Sequence, residues 1–351
     1  MTPASETLND SFGRTIRDLR ISLTDRCNFR CLYCLPETEE AADFFRFRRA
    51  DNAGAIPYLW KPKAQLLTYE EIVRLSRIAV AHGVDKIRLT GGEPLLRRDV
   101  ASLVAQLSSI AGLNDLALTT NGFYFAEQAQ ELRRAGLKRV TFSLDSLDRG
   151  NFRKMTGRDA LDTVLSAIRL AGELGFRPLR VNAVIIRDVN DHEIESLAEF
   201  GRAENLAMRF IEFMPLDSRR AWQKEHVVPA HEMLARLRRA HRLEPVQAES
   251  ASSTATRWRF ADGRGEVGFI APVSEPFCGH CNRLRLTADG KFRTCLFSLH
   301  EHDAKGLLRG GADDATLAAW LRGVVYKKEA RHHIGEADFQ QPDRPMSAIG
   351  G

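Results

Sequence analysis

Thr24-Asp25-Arg26-Cys27-Asn28-Phe29-Arg30-Cys31-Leu32-Tyr33-Cys34-Leu35-Pro36 places three of the chain's six cysteines within eight positions, spaced C-x3-C-x2-C. A four-thiolate metal site normally comes as two pairs. Three thiolates with no fourth nearby point to a [4Fe–4S] cluster whose fourth iron stays open to a small ligand. Just upstream, residues 16–23 alternate apolar and polar side chains and read as a strand running directly into this loop.

Downstream, a regular rhythm sets in. Thr68 and Glu71 form a capping box at the head of a helix that carries Ile72, Leu75 and Ala79 on one face and closes at Gly83. Lys86–Thr90 reads as a strand leading into Gly91-Gly92-Glu93-Pro94, and Val100, Leu103, Val104 and Leu107 mark one face of the next helix. Further strands fall at residues 115–119, 139–144, 179–186 and 207–213, with intervening helices that stop at glycines such as Gly136 and Gly175. Strands joined mostly by single helices imply a parallel sheet with right-handed crossovers, either open or curled into a barrel. Cys27, the Gly91-Gly92 turn, Thr119, Ser143, Asn182 and Met214 all fall at or just beyond C-terminal strand ends. A barrel or barrel fragment gathers such ends at one mouth. The expected fold is therefore α/β, an incomplete (β/α)6 TIM-type barrel over residues 1–215 followed by a C-terminal α+β region, 216–351.

In that second region a basic helix (230–239) precedes short alternating segments at 257–260 and Glu266–Ile270. Then come Cys278-Gly279-His280-Cys281, a strand at 283–287, the turn Asp289-Gly290, Cys295, a helix at 317–328 and a polar tail ending Ile349-Gly350-Gly351. It reads as a smaller metal-bearing region appended to the barrel. The connection at 37–62, with Phe44-Phe45-Arg46-Phe47-Arg48-Arg49, reads as a surface excursion, a lid over the site being the sharper alternative.

Composition narrows the function classes. The 51 basic and 46 acidic residues leave a net charge of +5, too slight to argue for nucleic-acid binding, so any anion site must be a local cluster. Residues 1–12 carry no basic-then-apolar leader pattern, and no apolar run approaches the roughly 18 residues of a membrane span. A cytoplasmic protein without a membrane or nucleic-acid partner is expected. In that reducing compartment clustered cysteines serve as ligands or catalytic groups. All six fall into two groups, the second being Cys278, Cys281 and Cys295, spaced C-x2-C-x13-C. A structural zinc is the competing reading for the second group. Histidine coordination inside the C-G-H-C pair is strained, and no other histidine has suitable spacing.

The first cysteine motif, with Tyr33 before its third cysteine, and the Gly-Gly-Glu-Pro turn after the next strand resemble the radical S-adenosylmethionine superfamily. The second cysteine group, Gly13-Arg14 ahead of the first strand, the run 25–36 and the Gly-Gly end narrow the resemblance to the GTP 3′,8-cyclase family of molybdenum cofactor biosynthesis, over about residues 13–351. The resemblance implies two [4Fe–4S] clusters, on Cys27, Cys31 and Cys34 and on Cys278, Cys281 and Cys295. It implies reductive cleavage of S-adenosylmethionine to a 5′-deoxyadenosyl radical, hydrogen abstraction from C3′ of GTP, and C3′–C8 closure. The protein's part is positioning and exclusion of water.

By matched position, Tyr33, Gly92, Ser143 and Met214 would contact S-adenosylmethionine, with Gly92 allowing close backbone approach. A triphosphate carries about four negative charges and needs converging cations. The matched candidates are Arg20, Arg88, Thr119, Arg180, Arg283, Leu284 and Arg285, with Lys86 a weaker addition. Arg283 and Arg285 alternate on one strand and so share a face. With Gly350 and Gly351, which the resemblance threads into the active site, they form the implied catalytic set. Arg180 departs from the family's usual lysine. Taken singly, each arginine reads as a solvated surface residue, Gly91-Gly92 as a tight turn, Met214 as core packing and the tail as a frayed end. Implied partners are GTP, a reductant such as flavodoxin or ferredoxin, and a downstream cyclic pyranopterin monophosphate synthase, the chain being monomer or homodimer. The alternatives are another radical enzyme with an auxiliary cluster, such as a peptide-modifying maturase, and a zinc-bearing nucleic-acid binder. The latter would need a basic stripe or a stacking platform, and neither is evident.

Overall fold

Alternation along the strands builds the architecture of the computed structural model, which describes residues 7–38, 60–218, 220 and 222–350. Gly351 and most of the 37–62 connection lie outside the described residues. The strands β1 (Asp18–Ser22), β2 (Lys86–Thr90), β3 (Asp115–Thr120), β4 (Arg139–Ser143), β5 (Arg180–Ile185) and β6 (Ala207–Glu212) follow the anticipated rhythm. On each, every second residue is apolar and buried: Leu19 and Ile21, Ile87 and Leu89, Leu116 and Leu118, Val140 and Phe142, Val181 and Ala183, Met208 and Phe210. Because strand side chains alternate between faces, this apolar row packs on the outer helices and leaves the polar row on the concave side.

The helices covering the apolar face are α1 (Tyr69–Ala81), α2 (Val100–Ser108), α3 (Phe125–Arg134), α4 (Arg149–Thr156), α5 (Leu161–Glu173) and α6 (Ile194–Ala203). The capping box is present as expected. Glu71 N–H donates to Thr68 Oγ1 at 3.2 Å, and Thr68 N–H to the Glu71 carboxylate at 2.8 Å.

The C-terminal region is woven into the same sheet instead of standing beside it. It contributes α7 (Ala230–Ala240), β7 (Leu243–Val246), β8 (Thr256–Phe260), β9 (Glu266–Ile270), β10 (Arg283–Leu286), β11 (Lys291–Arg293), β12 (His302–Asp303), α8 (Ala304–Arg309), α9 (Asp314–Tyr326) and α10 (Met346–Ile349). The twelve strands run in the order β12-β11-β10-β1-β2-β3-β4-β5-β6-β9-β8-β7. β10 pairs parallel with β1, and β9 parallel with β6, so the six expected strands are extended at both edges. Both additions repeat the alternation: in β10, Leu284 and Leu286 are buried in the core, and Arg283 and Arg285 share the other face. The curved sheet is a partial barrel whose concave face is polar.

The tail is anchored onto this frame. Arg344 donates to both Asp289 oxygens at 2.8 and 2.9 Å and to Glu301 at 2.7 Å, and Met346 N–H bonds the Leu216 carbonyl at 3.1 Å. No helix among the described residues is long and apolar enough to cross a membrane.

Candidate active site between two cysteine groups

The first cysteine loop leaves the C-terminal end of β1 and is held by backbone contacts on two sides. Gly92 N–H donates to the Thr24 carbonyl at 2.7 Å and Glu93 N–H to the Arg26 carbonyl at 2.8 Å. Arg30 and Leu32 N–H groups donate to Thr156 and Met155 carbonyls at the end of α4, both at 2.8 Å. Glu93 ties the turn to β3: its carboxylate accepts from Leu95 N–H at 3.0 Å, and from the Thr120 hydroxyl and Asn121 N–H, both at 2.8 Å. Asn121 in turn bonds Asn28 at 2.8 Å and points its amide at Cys27 Sγ, 3.8 Å away.

The structure gives Gly92 a different physical reason from the close ligand approach the sequence suggested. A Cβ there would lie 2.2 Å from the Arg26 carbonyl oxygen and 2.7 Å from that of Asp25, so glycine is required by packing of the turn onto the cysteine loop.

The donor set suits a cluster. Burial pushes the Cys27 thiol up to about 11 and Cys34 up to about 12, and raises Cys31 well above its ordinary value; charge on neighbouring thiols adds to each of the latter two. Desolvated thiolates that repel one another need a cationic group among them.

The other matched positions at this end are brought together with the loop. Tyr33 OH donates to Asp145 at 2.8 Å, and Asp145 also accepts Val184 N–H at 2.8 Å. Ser143 ends β4 opposite Asn182, and Met214 lies two residues past β6.

The concave face opens on a cavity of about 760 Å³. Arg20, Arg88, Thr119, Arg180, Arg283, Arg285 and Lys86 line it, as do Met214 and all three cysteines of the second group. Leu284 does not, its side chain being in the core on the opposite face. Arg88 and Arg180 are only 6% and 8% exposed. Among the described residues these two, with Arg20 and Arg209, bond no carboxylate, and Arg20 Nε, Arg88 Nε, Thr119 Oγ1 and Asn182 Oδ1 are buried without a hydrogen-bond partner. Burial brings Arg20 and Arg180 down to about 10, neighbouring cations contributing, and lowers Arg209 and Arg285 far more. Buried unpaired guanidinium groups cost several kcal/mol each. Converging on a cavity, they call for a polyanion.

Strand register decides where the second cysteine group lies. Arg283 is level with Asp18, so Cys281, two residues earlier, sits at the N-terminal end of the strands, whereas Cys27 follows their C-terminal end. About six residues of strand at ~3.3 Å each separate the two levels, roughly 20 Å. Arg14 stitches this loop down, donating to the carbonyls of Cys278 at 2.8 Å, Ala330 at 2.9 Å and Glu329 at 2.5 Å. Burial alone would raise Cys281, but Arg283 and Lys328 outweigh it and bring the thiol down to about 6, so that it ionises readily. His280, from the zinc alternative, is exposed and does not line the cavity. The tail reaches the concave face between the two groups: the Gly350 carbonyl accepts from Arg285, and a Cβ on Gly350 would lie 2.6 Å from Thr90 Oγ1.

Sequence reasoning passed over Arg139, Arg209 and Arg257, which also line the cavity, and gave no role to Glu93, Asn121 or Asp145. Arg209 was recoverable: it lies between Met208 and Phe210, which must face the helices, so its side chain can only face inward.

A parallel, partly closed barrel with a three-cysteine loop after its first strand defines a Radical SAM superfamily architecture, and that family's profile matches residues 21–201. A second profile, Molybdenum Cofactor Synthesis C, matches residues 206–334. A GTP 3′,8-cyclase of Mycobacterium sp. (strain KMS) is 43% identical over 350 residues, covering 99% of this chain and 95% of that one. One from Moorella thermoacetica is 44% identical over 344 residues, covering 98% and 100%. Streptococcus suis SuiB bound to S-adenosylmethionine superposes with a TM-score of 0.57 at 16% identity, over 90% of this chain and 68% of that one, and shares the fold. The chain belongs to the GTP 3′,8-cyclase family.

Proposed function

We propose that this chain catalyses the GTP 3′,8-cyclase reaction, an early step of molybdenum cofactor synthesis, in which C3′ and C8 of GTP are joined to give 3′,8-cyclo-7,8-dihydroguanosine triphosphate. The observation that carries this reading is the cavity of unpaired, buried arginines lying between two cysteine trios. When bound, a [4Fe–4S] cluster on Cys27, Cys31 and Cys34 supplies the one-electron reduction of S-adenosylmethionine that makes the hydrogen-abstracting radical.

The chain's own residues position and enclose. We assign Tyr33, oriented by Asp145, together with Ser143, Met214 and the Gly92 backbone, to S-adenosylmethionine. Cys278, Cys281 and Cys295 hold the second [4Fe–4S] cluster on the β10 side, with Arg283 and Arg285 beside it. Arg20, Arg88, Thr119 and Arg180 take the triphosphate, Arg180 offering a planar fork where the family's usual lysine offers a point charge. Leu284 can contribute its backbone alone. Gly350, and Gly351 after it, close the concave face from the tail, where Arg285 already holds the Gly350 carbonyl.

On this reading residues 1–215 generate the radical and 216–351 choose the substrate, a division supported by two family profiles that meet between residues 201 and 206. A reductant such as flavodoxin or ferredoxin supplies electrons, and a cyclic pyranopterin monophosphate synthase takes the product. The chain acts as monomer or homodimer in the cytoplasm, in keeping with six free cysteines. The test is anaerobic incubation with GTP, S-adenosylmethionine and a reductant. A nucleotide isomeric with GTP, resolved by chromatography and fragmentation, is expected; 5′-deoxyadenosine formed while GTP stays unchanged would refute the reading.

A further inference from the structure

Part of the cavity's lining has no role among the contacts assigned above. Ser250, Ser252, Ser253 and Thr254, on the turn between β7 and β8, line the cavity with Arg180 and Arg257. The turn is tied at its start: Glu249 accepts from Arg257 at 2.5 Å, and Arg257 also donates to Glu266 at 3.1 Å. The Ser250 and Ser252 hydroxyls lie 3.0 Å apart, so one donates to the other and one O–H of the pair stays free to donate elsewhere. Arg180 supplies an independent observation. It is 8% exposed, its guanidinium has no hydrogen-bond or ion-pair partner among the described residues, and it lines the same cavity and feels the charge of Glu249.

We propose that the turn 249–254 is the subsite for the terminal phosphate, through which the enzyme distinguishes a nucleoside triphosphate from the diphosphate. The inference rests on the GTP reading. With the base placed at the second cysteine group on that reading, the arginines assigned to the triphosphate lead from β1 and β2 to Arg180 on β5, and the turn lines the same cavity as Arg180 and Arg257. A terminal phosphate offers three outer oxygens; two guanidinium groups satisfy part of that capacity, and neutral hydroxyls add donors without adding to the repulsion among the arginines. Glu249 and the phosphate compete for Arg257, so Glu249 weakens binding of the longest substrate only.

The test measures GTP and GDP affinities of the cluster-loaded protein by anaerobic equilibrium dialysis. The wild type should prefer GTP. Combined Ser252→Ala, Ser253→Ala and Thr254→Val should lower GTP affinity about 5- to 10-fold, with GDP affinity unchanged. Glu249→Gln should raise GTP affinity severalfold and leave GDP alone. Equal losses for both nucleotides, or no loss, with iron content intact, overturn the inference. If the triple variant fails to fold, Glu249→Gln decides, and an unchanged GTP affinity there overturns it. A wild type that binds no GTP overturns the GTP reading itself; a wild type whose GTP preference survives both variants overturns only the role of the turn.

Discussion

Replacing Gly92 by alanine separates two explanations of this position. A new Cβ would sit 2.2 Å from the Arg26 carbonyl oxygen, 2.5 Å from its carbon and 2.7 Å from the Asp25 carbonyl oxygen, where real contacts do not fall below 3.0 Å. The opposing atoms are backbone, so no side chain can swing aside, and the cysteine loop must retreat by about 0.8 Å. That retreat loosens the Gly92 N–H to Thr24 carbonyl bond at 2.7 Å and the Glu93 N–H to Arg26 carbonyl bond at 2.8 Å. Overpacking costs about 1–3 kcal/mol and each weakened hydrogen bond about 1 kcal/mol, so the loop should be destabilised by about 3 kcal/mol or more. The assay is iron per chain after anaerobic reconstitution, read beside cleavage of S-adenosylmethionine without GTP. The variant should fall from about eight irons to about four, keeping the second cluster and losing cleavage. A variant with full iron and only weakened S-adenosylmethionine affinity would refute the packing argument and restore the ligand-approach explanation.

Arg285→Ala removes a buried cation and the donor to the Gly350 carbonyl. A charge-assisted bond contributes about 1.5–3 kcal/mol, so GTP affinity should drop about 10- to 100-fold while S-adenosylmethionine affinity stays within twofold; parallel dialysis with both ligands checks this. Cys281→Ser should leave about four irons and intact S-adenosylmethionine cleavage yet no cyclised nucleotide, and normal turnover would exclude a second cluster there. Glu93 gives a pH test. Burial pushes its carboxyl from 4.5 up to about 7, its hydrogen bonds opposing only in part. A raised carboxyl contributes stability fully below about pH 4.5 and loses it as pH rises through 7, about 3 kcal/mol in all at 1.36 kcal/mol per unit. Denaturant titrations between pH 4.5 and 8 should show that slope in the wild type and lack it in Glu93→Gln.

Much of this protein was readable from local pattern. Spacing of Cys27, Cys31 and Cys34, the Gly91-Gly92 turn, the Thr68–Glu71 capping box and the period-two alternation of the strands are set by near neighbours, so they survive in one dimension. They were enough for the class of fold, the first cluster and the polar strand faces. Tertiary structure decided the rest, because parallel pairing joins residues that no local signal connects. β10 lies beside β1 although some 265 positions separate Asp18 from Arg283, and that pairing alone sends the second cysteine group to the far end of the strands from the first. A single arginine in a sequence looks like a solvated one. Only the curvature that turns the polar strand faces inward brings Arg88, Arg180 and Arg209 to one cavity, and the withdrawal of these cations from solvent, which no one of them announces, is what suits that cavity to a polyanion. Gly92 carries the same lesson at short range: its identity was visible beside Gly91, but the carbonyl that forbids a side chain there belongs to Arg26, brought opposite only when β1 and β2 pair.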